Sequence, residues 1–205
     1  MLDLESFGLS SLFSVEGKTV VVTGGGSGLG KAIAGGFAFN GAKVYIVGRR
    51  ADVLNPAADE INAASRGKVI PKNANSIRLP GDVGSKQRVD ELVNGLQKLE
   101  DHIDVLINCA GINRPWKAEA SEFDGRHNDP DAVEKLLWHG LDDENFQSTY
   151  SINVNGVYFM STRMVPLLRK SPAPTVIVIA SIAGMMLQRQ AITRRLLGKL
   201  ELIVS

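Results

Sequence analysis

A glycine-rich turn near the amino terminus has the residue types and spacing that hold phosphate groups. Residues 23–30 read TGGGSGLG and separate a β-branched run (KTVVVT) from a predicted helix. Gly24 permits a tight turn, Gly28 lets the backbone approach a pyrophosphate, and Gly30 allows close packing of helix on strand. Free N–H groups at the helix start favour the phosphates of a dinucleotide. The spacing differs from the commoner GxGxxG, and an ordinary glycine-rich turn is the alternative.

An arginine pair follows the second β-branched run, about 20 residues beyond this turn, where many dinucleotide-binding proteins place an acidic residue for the ribose hydroxyls. A carboxylate there repels a 2′-phosphate, whereas the guanidinium of Arg49 can donate paired hydrogen bonds to one. The sequence therefore predicts NADP(H) in preference to NAD(H). The alternative is that Arg49 and Arg50 are solvated surface residues, and for Arg50 alone we favour it.

The elements that must position these residues alternate along the chain. Strand-like runs occupy residues 18–23, 42–47, 76–79, 103–107 and 175–180. Helices are predicted over residues 29–39, from Asn55-Pro56 to about residue 65, after the cap Ser85, and from the acidic residues 142–144 to about residue 168, with residues 113–140 irregular.

This alternation predicts an α/β fold with a doubly wound parallel sheet. In such a sheet, ligands bind beyond the carboxyl ends of the strands. The glycine-rich turn, Arg49, Asp82, residues 108–111 and Ser181 all fall at those ends, so we expect one site at that edge.

The bulk composition excludes several classes of protein. The 205 residues are 44% apolar and 22% charged, which is typical of one globular domain and not of a disordered or membrane-spanning chain. A net charge of +1 argues against nucleic-acid and membrane-surface partners. The single cysteine, Cys109, excludes an internal disulfide, and His102, His127 and His139 have no metal-site spacing. Residues 1–16 lack the features of a secretory signal, so we expect a soluble, cytoplasmic protein.

Six segments, in order, resemble the classical short-chain dehydrogenase/reductase family: TGGGSGLG, GRR, GDV, NCAG, INVNG and IASIAG. The resemblance implies a Rossmann-like, NAD(P)-binding domain over residues 17–184, after a lead-in of residues 1–16. It implies hydride transfer between NADP(H) and a carbonyl or secondary alcohol of a small-molecule substrate. A homo-oligomer is left open, because one of the helices that family members use for pairing has no counterpart in this sequence.

The resemblance also implies roles for individual residues. Ser181 matches the catalytic serine that orients the substrate carbonyl, and Asn153 matches the active-site asparagine. Asp82 with Val83 resembles the pair that contacts adenine, and Cys109 is interpreted as a small buried hydrophobe. The predicted cofactor-binding residues are Thr23, Gly24, Ser27, Gly28, Leu29, Gly30, Arg49, Asp82, Val83, Asn108, Ala110 and Gly111.

The sequence departs from the family pattern after Ser181. The family's proton donor is a tyrosine about a dozen residues later, whose pKa a neighbouring lysine lowers from near 10. Residues 182–205 contain no tyrosine, and Lys199 is the only lysine there. We therefore leave three alternatives open: an oxidoreductase, a catalytically inactive NADP-binding or regulatory protein, and a non-functional product.

The resemblance ends just after Gly184, and residues 185–205 form an atypical tail. The family's last strands and helices have no counterpart in it. An apolar stripe of Ile192, Leu196, Leu197 and Leu200 would fit a membrane or partner-binding helix. The interpretation we favour is an altered end, such as an alternative splice product or a mistranslated intron boundary.

Overall fold

The computed structural model describes residue 8 and residues 13–65, 76–113, 130–140 and 142–181. The strands are β1 (Thr19–Thr23), β2 (Lys43–Gly48), β3 (Ser76–Pro80), β4 (Val105–Asn108) and β5 (Thr175–Val178). The helices are α1 (Gly28–Phe39), α2 (Ala51–Ser65), α3 (Lys86–Gln97), α4 (Pro130–Gly140), α5 (Asp143–Tyr150) and α6 (Gly156–Leu168). A π-helical turn, Ser151–Asn155, connects α5 to α6. No helix within these ranges combines the length and apolarity that a bilayer crossing requires.

The five strands form one parallel sheet in the order β3-β2-β1-β4-β5. The chain moves outward from β1 to β3 and then returns to β4 on the other side of β1. The register aligns Thr23 of β1 with Val47 of β2 and with Asn108 of β4. The predicted doubly wound parallel sheet is thus confirmed, and its strand order reverses between β1 and β4, where such sheets bind ligands.

The central strand β1 packs against helices on both faces of the sheet. Val20 and Val22 belong to a core cluster with side chains of α1 and α2, whereas Val21 belongs to a second cluster with side chains of α3 and α6. All three valines are fully buried. Burial on both faces explains the continuous β-branched run. Each valine contributes about 1.5–3 kcal/mol relative to an exposed position.

The helix predicted to begin at Asn55-Pro56 begins earlier, so that prediction of its start is wrong. α2 starts at Ala51, and Pro56 lies inside it. The carbonyl of Arg50 accepts the N–H groups of Val53 and Leu54, at 3.2 and 3.0 Å. Leu54 is 1% exposed, and burial of this side chain favours helix before the proline.

Two further helix predictions need correction. Residues 130–140 form α4 inside the segment expected to be irregular, while residues 114–129 lie outside the described residues. The single helix expected from residue 142 to about 168 is present as an unbroken helical segment from Asp143 to Leu168, but residues 151–155 within it form a π-helical turn that was not expected. Pro166 lies in the last turn of α6, and the helix ends two residues later at Leu168.

Asp104 joins three segments at the amino ends of the strands. Its carboxylate accepts the N–H of Thr19 at 2.8 Å and the hydroxyl of Ser171 at 2.5 Å, and His102 Nε2 lies 3.5 Å away. Burial acts to raise the pKa of Asp104. The hydrogen bonds from Ser171 and Thr19, with the charges of His102 and Lys18, outweigh burial and hold the pKa below its ordinary value.

Candidate functional site

The turn between β1 and α1 is held close to its neighbours. Gly24 has a φ of 72°, and a Cβ there would lie 2.9 Å from the Cα of Ala110. A Cβ at Gly30 would lie 2.3 Å from the carbonyl oxygen of Gly24, so a side chain at either position requires the turn to move. The N–H groups of Gly24 and Gly25 donate to the carbonyl of Val47 at 2.8 and 3.2 Å, which fixes the turn on β2.

The first turn of α1 is arranged to receive an anion. Ser27 occupies the N-cap position, but its side chain makes no capping hydrogen bond. By contrast, Ser85 caps α3 and Asp142 caps α5 by accepting an N–H of the first turn. Gly28 has a φ of 52°, and a Cβ there would meet no atom within 4 Å. The first N–H groups of α1, near Leu29, are therefore available to another acceptor, and the helix dipole favours a negatively charged one.

Thr23 connects the carboxyl ends of β1 and β4. Its buried Oγ1 accepts the N–H groups of Cys109 and Ala110 at 3.0 and 3.1 Å. The same hydroxyl donates to the carbonyl of Ile107 at 3.4 Å. The Thr23 hydroxyl is thus occupied by the chain itself and positions the edge of the cleft. Cys109 is half-buried and packs against the core cluster that contains Ile107.

Two buried asparagines connect the carboxyl end of β4 to the helical segment beside it: Asn108 bonds to α6, and Asn153 fixes the loop that follows β4. Asn108 is 3% exposed and donates from Nδ2 to the hydroxyl oxygen of Ser161 at 3.1 Å. Asn153, in the π-helical turn, accepts the N–H of Ile112 at 2.9 Å and donates to the Ile112 carbonyl at 3.0 Å. The side chain of Asn153 therefore acts like a strand partner for Ile112, and it holds residues 110–112 beside the cleft.

A cleft at the carboxyl edge of the sheet extends from the glycine-rich turn to the π-helical turn. Arg49 and Arg50 are exposed side chains that line it at the end of β2. Leu29 is exposed beside it, whereas Thr23, Gly30 and Asn108 are buried beneath it. Of the predicted cofactor-binding residues, the structure brings the following into its lining: Gly24, Ser27, Arg49, Asp82, Val83, Ala110 and Gly111.

Asp82 and Val83 lie where β3 leads into α3. Asp82 Oδ1 accepts the N–H of Gly84 at 2.8 Å, and Oδ2 forms an ion pair with Arg88. Val83 is 6% exposed and lines the cleft. Sequence reasoning missed Arg88 and Ile112. Arg88 had a usable signal, since it lies in the first turn of a predicted helix, six residues after the acidic residue of the GDV segment.

Ser181 lies at the same edge of the sheet but outside the lining of this cleft. It follows β5, whose extension is attached to β4 because the N–H of Ile179 donates to the carbonyl of Asn108 at 2.9 Å. Ser181 is half-buried, and it is the last residue that the structure describes. Lys199 and the atypical tail lie outside the described residues.

The three tyrosines of the chain have different surroundings. Tyr45 is 2% exposed, and its hydroxyl donates to Glu100, at the amino edge of the sheet. Burial raises the pKa of Tyr45, and the hydrogen bond and charge of Glu100 raise it further. Tyr158 is 65% exposed on α6, and Tyr150 ends α5, three residues before Asn153. Tyr45 is therefore unsuited to proton transfer at the carboxyl edge.

The sequence model of the short chain dehydrogenase family matches residues 18–193, which is most of the chain. The chain belongs to the short-chain dehydrogenase/reductase family. The match includes β1 to β5 and every element that lines the cleft.

Several known proteins resemble the chain in sequence or in fold. The short-chain dehydrogenase/reductase PhomF of Diaporthe leptostromiformis is 36% identical over 159 residues, which are 78% of this chain and 50% of PhomF. The NADP active-site complex of Pseudomonas aeruginosa RhlG has a TM-score of 0.69 at 23% identity, covering 94% of this chain and 67% of RhlG. A metagenomic short-chain oxidoreductase in complex with NADP has a TM-score of 0.70 at 22% identity, covering 92% of this chain and 74% of the oxidoreductase. The chain spans about half the length of curated relatives such as PhomF.

Proposed function

We propose that this chain binds NADP(H) along the cleft at the carboxyl edge of the sheet. The observation that carries this proposal is Arg49, which stands in the cleft lining at the end of β2, where a carboxylate would favour NAD(H). Its guanidinium offers paired hydrogen bonds to a 2′-phosphate. RhlG and the metagenomic oxidoreductase, which have the same fold, were both solved with NADP.

The geometry of the cleft fits the remaining parts of such a cofactor. The uncapped first turn of α1, with Ser27 and Gly28, would hold the diphosphate by its N–H groups. Asp82 and Val83 would contact the adenine, and Ala110 and Gly111 would line the nicotinamide side. Thr23 and Asn153 would support the site without contacting the cofactor, because their side chains form hydrogen bonds with the backbone of the cleft wall.

We further propose an oxidoreductase activity on a small-molecule carbonyl or secondary alcohol. The nicotinamide, when bound, supplies or accepts a hydride. In this proposal the Ser181 hydroxyl donates to the substrate oxygen, and Asn153 keeps the adjacent loop in place through Ile112. A cytoplasmic location, which the lone cysteine favours, belongs to the same proposal.

A second candidate function is NADP(H) binding without catalysis, in a regulatory role. It is favoured by the lack of tyrosine in residues 182–205 and by the commitment of the Tyr45 hydroxyl to Glu100. Without a positioned acid, proton transfer to the substrate oxygen loses a contribution of about 10²–10⁴-fold in rate. A non-functional product is the third alternative.

One experiment separates these candidates. The full chain is titrated with NADPH and NADH, and then incubated with NADPH and a panel of ketones and aldehydes while NADPH fluorescence is followed. Saturable NADPH binding with turnover supports the oxidoreductase and refutes the regulatory alternative. Binding without turnover supports the regulatory alternative. A folded chain that binds neither dinucleotide contradicts the whole proposal.

A further inference from the structure

Asp82 is the acidic side chain in the lining of the cleft, and both of its carboxylate oxygens are engaged. Oδ1 accepts the N–H of Gly84 at 2.8 Å, which fixes the carboxylate on its own turn. Oδ2 forms an ion pair with Nη1 of Arg88, on the first turn of α3. The Asp82 side chain is 15% exposed and that of Arg88 is 62% exposed, so the ion pair joins a largely buried carboxylate to an exposed guanidinium.

Arg49 lies in the same surroundings as this ion pair. Arg49 and Asp82 together line the main cleft and two adjoining ones, and Arg88 lines both adjoining clefts. One of these also contains Glu91, whose carboxylate accepts a hydrogen bond from Gln87 at 3.0 Å. The charged side chains that line the three clefts are Arg49, Arg50, Arg88, Asp82 and Glu91.

The net charge of this group depends on Arg88. The three arginines and two carboxylates sum to +1, and removal of Arg88 brings the sum to zero. Without Arg88, the Asp82 carboxylate has two unfavourable effects on a bound 2′-phosphate: it repels the phosphate, and it competes for the guanidinium of Arg49.

We propose that Arg88 is a specificity-determining residue, which neutralises Asp82 and so leaves Arg49 to the 2′-phosphate. The proposal rests on the NADP(H) function proposed above. It explains how a cleft that contains a carboxylate accepts the additional phosphate. Loss of Arg88 should therefore weaken the binding of NADPH selectively. NADH has a hydroxyl in place of the 2′-phosphate, so its binding tolerates the uncompensated Asp82 carboxylate.

The test is a set of dissociation constants measured by calorimetry for NADPH and NADH on the full chain. We expect Arg88→Gln to weaken NADPH binding about tenfold and NADH binding by less than about twofold. Arg88→Lys keeps the charge and restores most of the NADPH affinity. The matched control is Arg169→Gln, which removes an exposed arginine at the amino edge of the sheet and changes neither constant.

A second background shows whether Arg88 acts through Asp82. In the Asp82→Asn chain the carboxylate is gone, so we expect Arg88→Gln to change the ratio of the NADPH and NADH constants by less than about twofold. A tenfold change of that ratio in this background would overturn the proposed mechanism. Thermal unfolding of each variant verifies that the chain is folded.

The outcomes distinguish this inference from the function on which it rests. If the wild-type chain binds neither dinucleotide, the proposed function fails. If the wild-type chain binds NADPH, but Arg88→Gln has no effect or weakens both dinucleotides equally, the inference alone fails. An NADPH-selective loss that shrinks as the salt concentration rises supports it, because exposed charges are screened by salt.

Discussion

Among single residues, the motif side chains divide into those that face the cleft and those that support its walls. Arg49 and Asp82 line the cleft, whereas Thr23 and Asn153 direct their polar atoms to the backbone of the β4 loop. The sequence predicted that Thr23, Arg49 and Asp82 lie at one edge, because they follow the ends of parallel strands, whereas Asn153 was assigned to the site by the family resemblance alone. It did not predict which are internal supports, since Thr23 and Cys109 are 86 positions apart.

We expect the substitution Thr23→Val, which keeps the shape of the side chain, to destabilise the fold. The valine keeps the volume but removes the acceptor of two backbone N–H groups, those of Cys109 and Ala110. Leaving buried donors without a partner costs about 1–3 kcal/mol in the free energy of unfolding. Urea denaturation of both proteins measures this difference. An unchanged midpoint would show that the Thr23 hydroxyl does not hold β1 to the β4 loop.

Among the secondary-structure elements, the strands were the most predictable part of the fold. All five agree with the predicted runs to within two residues at either end. For β1 and β2, burial on both faces of the sheet explains the continuous β-branched runs. The π-helical turn was not predictable, because its sequence, SINVN, has no local signal. Its best-defined contact is the pair of hydrogen bonds from Asn153 to Ile112, 41 positions away. α4 did carry signals: a proline at its first position, Asp131 in its first turn and His139 in its last.

The π-helical turn makes a testable contribution to stability. Asn153→Ala removes both hydrogen bonds to Ile112, and we expect the free energy of unfolding to fall by about 1–3 kcal/mol. The matched control is Asn155→Ala, a half-buried position in the same turn, for which we expect a change below about 0.5 kcal/mol. Equal effects of the two substitutions, measured by urea denaturation, would argue that Asn153 has no special role.

The stability that Asp104 contributes is predicted to depend on pH. Its carboxylate joins the start of β1 to the loop between α6 and β5 through Thr19 and Ser171. The pKa of Asp104 is lowered from 3.8 in the folded chain. A lowered carboxyl pKa adds stability at pH values above the unfolded pKa, and this stability is lost as the pH falls through the folded pKa. We therefore expect the advantage of the wild type over Asp104→Asn to be complete near neutral pH and to shrink below about pH 4.

Chemical denaturation at several pH values measures this effect, and Asp101→Asn is the control because Asp101 is exposed in the same connection. We expect the Asp101 variant to follow the wild-type curve. An Asp104→Asn curve parallel to the wild type down to low pH would contradict the assignment of Asp104 as an ionised, hydrogen-bonded tie.

At the scale of the whole molecule, the edge of the sheet at β5 is exposed and apolar. Within the described residues β5 pairs with β4 alone, and Val176 and Ile177 are 46% and 37% exposed. A short, uncharged, β-branched edge favours pairing between copies of the chain. We expect Val176→Lys to reduce concentration-dependent association, measured by light scattering. Val165→Lys, on the exposed face of α6, removes a similar apolar side chain away from any strand edge and should have a smaller effect. Equal effects of both, or a wild type that stays monomeric, would contradict this prediction.

The central proposal for the whole chain is that its cleft holds the dinucleotide diphosphate at the uncapped start of α1 and selects NADP(H) by Arg49. The most direct test compares the NADPH and NADH dissociation constants of the wild type with those of Arg49→Gln. We expect the wild type to bind NADPH at least about tenfold more tightly than NADH, and Arg49→Gln to lose most of that preference. A folded wild-type chain that binds NADH as tightly as NADPH would contradict the account.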